Sequence, residues 1–340
     1  MFNKIKIIPK DAELQDNVYL FHLNITYRCN LFCSYCYNRY LLVNRDNISS
    51  DMHKETLQKI VKNINMYFKN RPENINIWLL GGEPCLHPEF ESLVDILLSI
   101  DNLNKLKIFT NGTLPDVYLK LKKDILKKRS ITISYHAEKV KYYTFIDILD
   151  RICASYLDLQ DLPHIIVYLD NNYKEDVDKV LYYLHKIKYP FVKISSLQKQ
   201  HQCNTIDYNE YDTYVKKWNL KNEKAILRIY KDDIIIDEIP EQQLSNGCFY
   251  GLTCMYKRNA FRIEPNGEII SACNNKTTKN KKRYYAFMQK HLTNILDYYD
   301  KKCVCNEKNG FCNCSLSYGY SKYGFYSKDD KYAKSRTDII

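Results

Sequence analysis

Apolar residues along the first two hundred positions follow two alternating rhythms. Short runs of strand length and β-branched character occur at Val18 to Ile25, Ile75 to Leu80, Leu106 to Phe109, Ile131 to Ser134, His164 to Leu169 and Phe191 to Leu197. Between them, apolar residues recur every three or four positions, the spacing that gives a helix one buried stripe. The stripes are Leu57, Ile60, Val61 and Ile64; Leu93, Ile96, Leu97 and Ile100; Val117, Leu121, Ile125 and Leu126; Ile146, Leu149, Ile152 and Cys153; and Val177, Val180, Leu181 and Leu184. Ser50 or Asp51 is placed to cap the first helix. Six strands alternating with five helices predict parallel strands joined by right-handed crossovers. A closed barrel of this kind needs eight units. The expected fold is therefore α/β: a partial (β/α)6 TIM-like barrel over residues 1–200, open on one side, followed by a small cysteine-rich α+β module.

Beyond residue 200 the rhythm breaks. Residues 201–244 are polar and Tyr-rich and are expected to bridge to the second module, with a hairpin from Ala225 to Ile239 turning at Asp232-Asp233. The module itself is expected over 245–326, with a polar tail at 327–340. Residues Phe261 to Cys273 alternate around Pro265-Asn266-Gly267, a strong hairpin signal.

Candidate chemistry gathers where the strands end. The first strand runs into Cys29-Asn30-Leu31-Phe32-Cys33-Ser34-Tyr35-Cys36, the second into Gly81-Gly82-Glu83-Pro84, the third into Thr110-Asn111-Gly112 and the fourth into Ser134-Tyr135-His136. Carboxyl ends of strands are where parallel α/β sheets place their active sites. Three thiols on a short loop can hold three corners of a cubic iron–sulfur cluster and leave one iron open, as catalytic metal sites keep an open position. The same spacing by itself also serves zinc or a thiol redox pair.

Composition narrows the setting. The chain has 340 residues, 45% hydrophobic, enough for a full core and an accessory module. No apolar stretch reaches the ~20 residues of a membrane span and no signal-peptide core is evident, so a cytoplasmic protein is expected. Thirteen cysteines in a Lys-rich chain of this kind suit reduced metal ligands better than disulfides. The net charge of +11 is spread along the chain without an RNA-binding signature, so nucleic acid is not an expected partner. It reads as a solvated basic surface or as a field attracting an acidic peptide or a phosphorylated substrate.

The CxxxCxxC loop after a first strand, with Tyr35 before its third cysteine and GGEP after a second strand, resembles the radical S-adenosylmethionine (SAM) enzymes over roughly residues 15–200. That resemblance implies that Cys29, Cys33 and Cys36 bind a 4Fe-4S cluster whose open iron takes S-adenosylmethionine. One-electron cleavage then yields a 5′-deoxyadenosyl radical that removes a hydrogen atom from substrate. It places Tyr35 against the adenine, Gly81 and Gly82 near the methionine end, Glu83 on the ammonium group, and Pro84 as the stiffener of the turn. Thr110, Asn111, Ser134 and His136 are expected near the cofactor, with local turn or cap roles as the alternative. Cys85 is a candidate hydrogen-atom donor or simply a small buried hydrophobe. His136 is a candidate general base or a plain hydrogen-bonding residue.

The C-terminal cysteines resemble the start of SPASM or Twitch extensions, which hold auxiliary 4Fe-4S clusters. Cys254 and Cys273 are the expected ligands, with partners from Cys248, Cys303, Cys305, Cys312 and Cys314. Five residues rather than four separate Gly267 from Cys273, and the later cysteines are CxC pairs, so a zinc site at Cys303, Cys305, Cys312 and Cys314 is the alternative. Relatives with such extensions often modify peptides, which makes a peptide or protein side chain the leading substrate and a sugar, amino acid or nucleotide the alternative. Only about 28 residues precede Cys29, leaving no room there for a peptide-recognition domain. The run from Ser134 to Glu138 also differs from the Ser-x-Asp-Gly of peptide maturases. The resemblance further implies a one-electron donor such as flavodoxin or ferredoxin. A non-catalytic zinc or redox protein is the remote alternative.

Overall fold

A computed structural model describes residues 5–9, 18–36, 51–121, 129–155, 162–196, 213–214, 216–218, 226–231, 234–240, 252–254, 260–270, 284–299, 303–304 and 325–327. Six strands, β2 (Val18–Thr26), β3 (Asn74–Gly81), β4 (Leu103–Thr110), β5 (Arg129–Tyr135), β6 (His164–Leu169) and β7 (Val192–Ser196), lie side by side in chain order, every neighbouring pair parallel. The connecting helices are α1 (Lys54–Phe68), α2 (Phe90–Leu98), α3 (Pro115–Leu119), α4 (Tyr142–Ser155) and α5 (Lys174–Lys186). The alternation predicted from the two rhythms is the fold: a parallel α/β sheet that does not close.

Alternation along β2 explains how the sheet is held. Tyr19, Phe21, Leu23 and Ile25 point to the helix layer and are almost fully buried. They meet Leu57, Ile60, Ile64 and Phe68 of α1, with the Phe68 ring set edge-on to Tyr19 at 4.8 Å. Each such side chain removed from water contributes roughly 1.5–3 kcal/mol. On α4 the stripe is Phe145, Ile148, Leu149 and Ile152, with Ile146 only half-buried, one register step from the expected set.

The β2 edge continues with strands from far along the chain. β11 (Ala260–Ile263) pairs parallel with β2, Arg262 opposite His22, and β12 (Ile269–Ile270) returns antiparallel around the Pro-Asn-Gly turn. Phe261 stacks on Phe21 at 5.5 Å, so this hairpin caps the open edge of the sheet with its own apolar face. Helix α6 (Gln289–Tyr299) follows and buries Leu292, Ile295 and Leu296 in the same core.

A second, antiparallel sheet joins β1 (Ile5–Pro9), β8 (Ile226–Lys231), β9 (Ile234–Pro240), β10 (Leu252–Cys254), β13 (Cys303–Val304) and β14 (Phe325–Ser327) in the order β13-β10-β14-β1-β8-β9. β8 and β9 pair antiparallel with Lys231 opposite Ile234, as the expected hairpin requires; its turn at 232–233 lies outside the described residues. Through β1 and β11, backbone pairing links the first and last segments of the chain across the expected boundaries at 200 and 244. Among the described residues no helix is long and apolar enough to cross a membrane.

Candidate active site

The strand ends converge on the cysteine loop. At its stem, Gly82 N–H donates to Thr26 O at 2.8 Å and Glu83 N–H to Arg28 O at 2.7 Å. A Cβ on Gly81 would lie 2.2 Å from Thr26 O, and one on Gly82 would lie 2.2 Å from Arg28 O. Gly81 also has φ 151, a conformation side chains disfavour. The space these glycines leave is filled by the chain's own 26–28 backbone, which carries the cysteine loop. Asp51, expected as a helix cap, is drawn instead to this stem: it accepts from Thr26 Oγ1 at 2.6 Å and pairs with Arg28 at 2.7 Å, and His53 holds the cap position without a side-chain bond.

Glu83 is completely buried. Its carboxylate accepts from Thr110 Oγ1 at 2.8 Å, Asn111 N–H at 2.7 Å and Cys85 N–H at 3.1 Å. Burial pushes its pKa up while these donors pull it back. The resemblance places this carboxylate on the ammonium group of the cofactor; within the chain it ties the β3 turn to the end of β4. Pro84 opens the single 3-10 turn that follows, with Glu83 as its cap. Cys85 lies behind the turn, buried in the apolar core, and burial pushes its thiol up. A small buried hydrophobe describes this placement better than a hydrogen-atom donor.

The cysteine loop is pinned from two sides. Asn30 accepts from Asn111 Nδ2 at 2.9 Å and donates to Thr113 Oγ1 at 2.8 Å, both at the end of β4. Ser34 donates through its N–H and Oγ to Glu138 beyond β5, each at 2.9 Å, and Glu138 pairs with Lys139 at 3.0 Å. Between these anchors Phe32 adopts φ 49, a left-handed turn that a bulky residue enters only when its surroundings impose it. Cys29 Sγ accepts the N–H groups of Leu31 and Phe32. Cys29, Cys33 and Cys36 form no disulfide; neighbouring thiols help to raise the pKa of Cys29 and Cys33, although burial is the larger cause and pushes Cys33 up to about 11.

An aromatic wall stands beside the thiols. Tyr35 and His136 share a hydrogen bond of 2.8 Å and stack at 5.9 Å, and Tyr168, at the end of β6, stacks on His136 at 5.2 Å. Ser134 hydrogen-bonds Tyr168. Burial holds His136 down to about 4, so the ring is neutral at pH 7 and too weak a base for the role first considered. It orients Tyr35 instead.

Three thiols on one loop are the soft donor set that an iron–sulfur cluster takes. Residues 23–181 match the radical SAM superfamily model. This chain carries a radical SAM domain. Curated proteins similar to it include GTP 3′,8-cyclase of Haemophilus influenzae (strain 86-028NP), 31% identical over 101 residues, 29% of this chain and 27% of that protein. Another is a probable GTP 3′,8-cyclase of Methanocella arvoryzae, 26% identical over 174 residues, 48% of this chain and 52% of that protein. The chain thus spans about a quarter to a half of the length of the curated relatives it matches. Among solved structures, anSMEcpe with bound AdoMet superposes with a TM-score of 0.54 at 18% identity, covering 89% of this chain and 91% of that one. SuiB of Streptococcus suis bound to S-adenosylmethionine gives 0.52 at 14% identity, covering 86% and 68%. These likenesses establish the fold of the radical SAM domain.

Several residues of the domain's mouth escaped the sequence reading. Tyr168 looked like strand interior, yet it is the end of β6 and obeys the carboxyl-end rule used for β2 to β5. Glu138 was visible only as a departure from a family motif. Glu264 looked like a turn residue beside Pro265. It is buried at the end of β11, accepts from Asn24 Nδ2 at 3.0 Å and from the Tyr27 hydroxyl, and pairs with Arg262 at 2.8 Å. Of the auxiliary ligand candidates, Cys254 and Cys303 are direct register partners in the β10–β13 ladder. Cys248, Cys273, Cys305, Cys312 and Cys314 lie outside the described residues.

Proposed function

We propose that this chain is a radical SAM enzyme acting on a small anionic molecule. What supports the reaction class is the trio of cysteines, none in a disulfide, on one loop at the mouth of an open parallel sheet. Cys29, Cys33 and Cys36 would hold a 4Fe-4S cluster, leaving one iron for S-adenosylmethionine. Bound there, the pair supplies one-electron cleavage of the sulfonium and removal of a hydrogen atom from the substrate. The chain's own residues position and shield that chemistry. Gly81 and Gly82 let β3 dock on the loop stem, Glu83 and Asn111 fix the β4 side, and Glu138 fixes the β5 side. Tyr35, His136 and Tyr168 present flat, largely apolar surface beside the thiols, which suits a planar base and excludes water.

On the substrate, a peptide side chain was the first expectation, and it rests on C-terminal cysteines of which only two are described. The Cys254–Cys303 register keeps an auxiliary cluster, and with it a peptide substrate, as the second reading. The sequence relatives are named for a cyclase of GTP, and the sheet's concave face is basic, so a small anion is favoured. An electron donor such as flavodoxin or ferredoxin completes the proposal. Anaerobic reconstitution tests it: the chain should take up about four iron per open cluster and release 5′-deoxyadenosine from S-adenosylmethionine when reduced with dithionite. A chain that retains zinc and leaves S-adenosylmethionine intact would overturn it.

A further inference from the structure

Strand register fixes which side chains share the concave face below the cysteine loop. Lys105 is opposite Asn76, Lys107 is opposite Trp78 and Ser130, and Thr132 is opposite Phe109 and His164. Paired residues of parallel neighbours project to the same side of a sheet, so Lys105, Lys107, Ser130, Thr132 and His164 form one patch across β4, β5 and β6. At ~3.3 Å per residue, Lys107 lies about 10 Å before Thr110, toward the amino ends of the strands; Lys107 is half-buried and Lys105 exposed.

The patch is built for an anion. Both lysines oppose the charged form of His164, after burial the main causes that hold its pKa down to about 4. The ring stays neutral and keeps an N–H to donate. Ser130 Oγ and Thr132 Oγ1 are buried with no hydrogen-bond partner, a condition folded proteins rarely leave without a reason. Lys107 Nζ lies 5.9 Å from the Trp78 ring and 5.1 Å from that of Phe109, so apolar walls flank the charge and strengthen its field. Elsewhere on the described part of this face stand Lys193, Arg262 and one carboxylate, Glu264, itself paired with Arg262.

We propose that Lys105, Lys107, Ser130, Thr132 and His164 bind the phosphate groups of a small phosphorylated substrate, with its reacting carbon held up toward the cysteine loop. The proposal rests on the small-anion reading above and gives it a location. Lys107, Ser130, Thr132 and His164 stand within two residue steps of one another on adjacent strands, with Lys105 two residues further down β4, an arrangement that matches a compact polyanion. The carboxylates of an acidic peptide, spread along an extended backbone, match them poorly.

The test uses the full chain, anaerobically reconstituted, with inorganic tripolyphosphate as the probe in titration calorimetry and a tetraglutamate peptide for comparison. Tripolyphosphate should bind, about tenfold more weakly to Lys107→Gln and about a hundredfold more weakly to the Lys105→Gln/Lys107→Gln double variant. Lys107→Arg should restore most of the binding, which separates lost charge from lost fold, and the remote surface variant Lys62→Gln should match the parent. Unchanged binding in the double variant would overturn the proposal. So would tetraglutamate binding as tightly through the same lysines, which would assign the patch to a peptide. Lysine-dependent binding by a chain that releases no 5′-deoxyadenosine would keep the patch and remove the cofactor reading instead.

Discussion

The mouth of the sheet and its floor carry opposite charge. At the mouth stand Asp51, Glu83 and Glu138, each engaged in holding the cysteine loop or the turn beside it. On the floor, three to five residues before the ends of β4 and β7, stand Lys105, Lys107 and Lys193. Both ends use strand register to aim side chains, yet they solve different problems. The mouth spends its polar groups on one another, fixing the loop that carries the three thiols. The floor sets Lys107 level with Ser130, and the Ser130 and Thr132 hydroxyls there are buried without a hydrogen-bond partner. The proposal assigns the two ends to two ligands, a sulfonium compound at the mouth and a phosphorylated one at the floor.

The sharpest way to break the mouth is through its glycines. Gly82→Ala places a Cβ 2.2 Å from a backbone oxygen that has nowhere to move without dragging the cysteine loop. It should cost about 3 kcal/mol, read from denaturant midpoints, and lower iron retention with it. The double lysine variant is the matching lesion of the floor, expected to weaken anion binding about a hundredfold, or ~2.7 kcal/mol, while leaving iron content at the parent level.

The histidines of the concave face give a smaller, pH-dependent handle. Burial, then Arg262, holds His22 down to about 3, below the 6.5 of an unfolded histidine. The folded state therefore binds fewer protons than the unfolded one between those values. Its contribution is fully present above pH 6.5 and is lost as pH falls toward 3, at about 1.4 kcal/mol per pH unit. Urea midpoints measured from pH 6.5 to 4 should fall less steeply for His22→Gln than for the parent; equal slopes would show that the imidazole is not held neutral. Smallest of all, Glu138→Ala removes the acceptor for Ser34 and should cost about 1 kcal/mol locally, seen as a few-fold faster loss of iron to a chelator.

Local pattern carried the parallel half of the molecule because each strand there is flanked by its own helix and ends in its own polar cluster. The same pattern could not show what the clusters bind. Gly82 and Glu83 were legible as a tight turn, but that they serve the 26–28 backbone and the end of β4 depends on contacts between separate units. Asp51 has the residue type of a cap, and the competing bonds of Thr26 and Arg28 decided otherwise. The pairing of β11 with β2 joins positions some 240 residues apart. No hydrophobic period records such a partner, and so Glu264 passed for a turn residue. The lysines of β4 were visible as charges but not as a patch, because register with β5 and β6 is what brings Ser130, Thr132 and His164 alongside them.

The account turns on the cysteine loop, and one comparison addresses it directly: 5′-deoxyadenosine released from S-adenosylmethionine under dithionite by the reconstituted parent chain and by Cys33→Ala. The parent should form it and the variant should fall by more than about a hundredfold. Equal product from both would contradict the assignment of these three thiols.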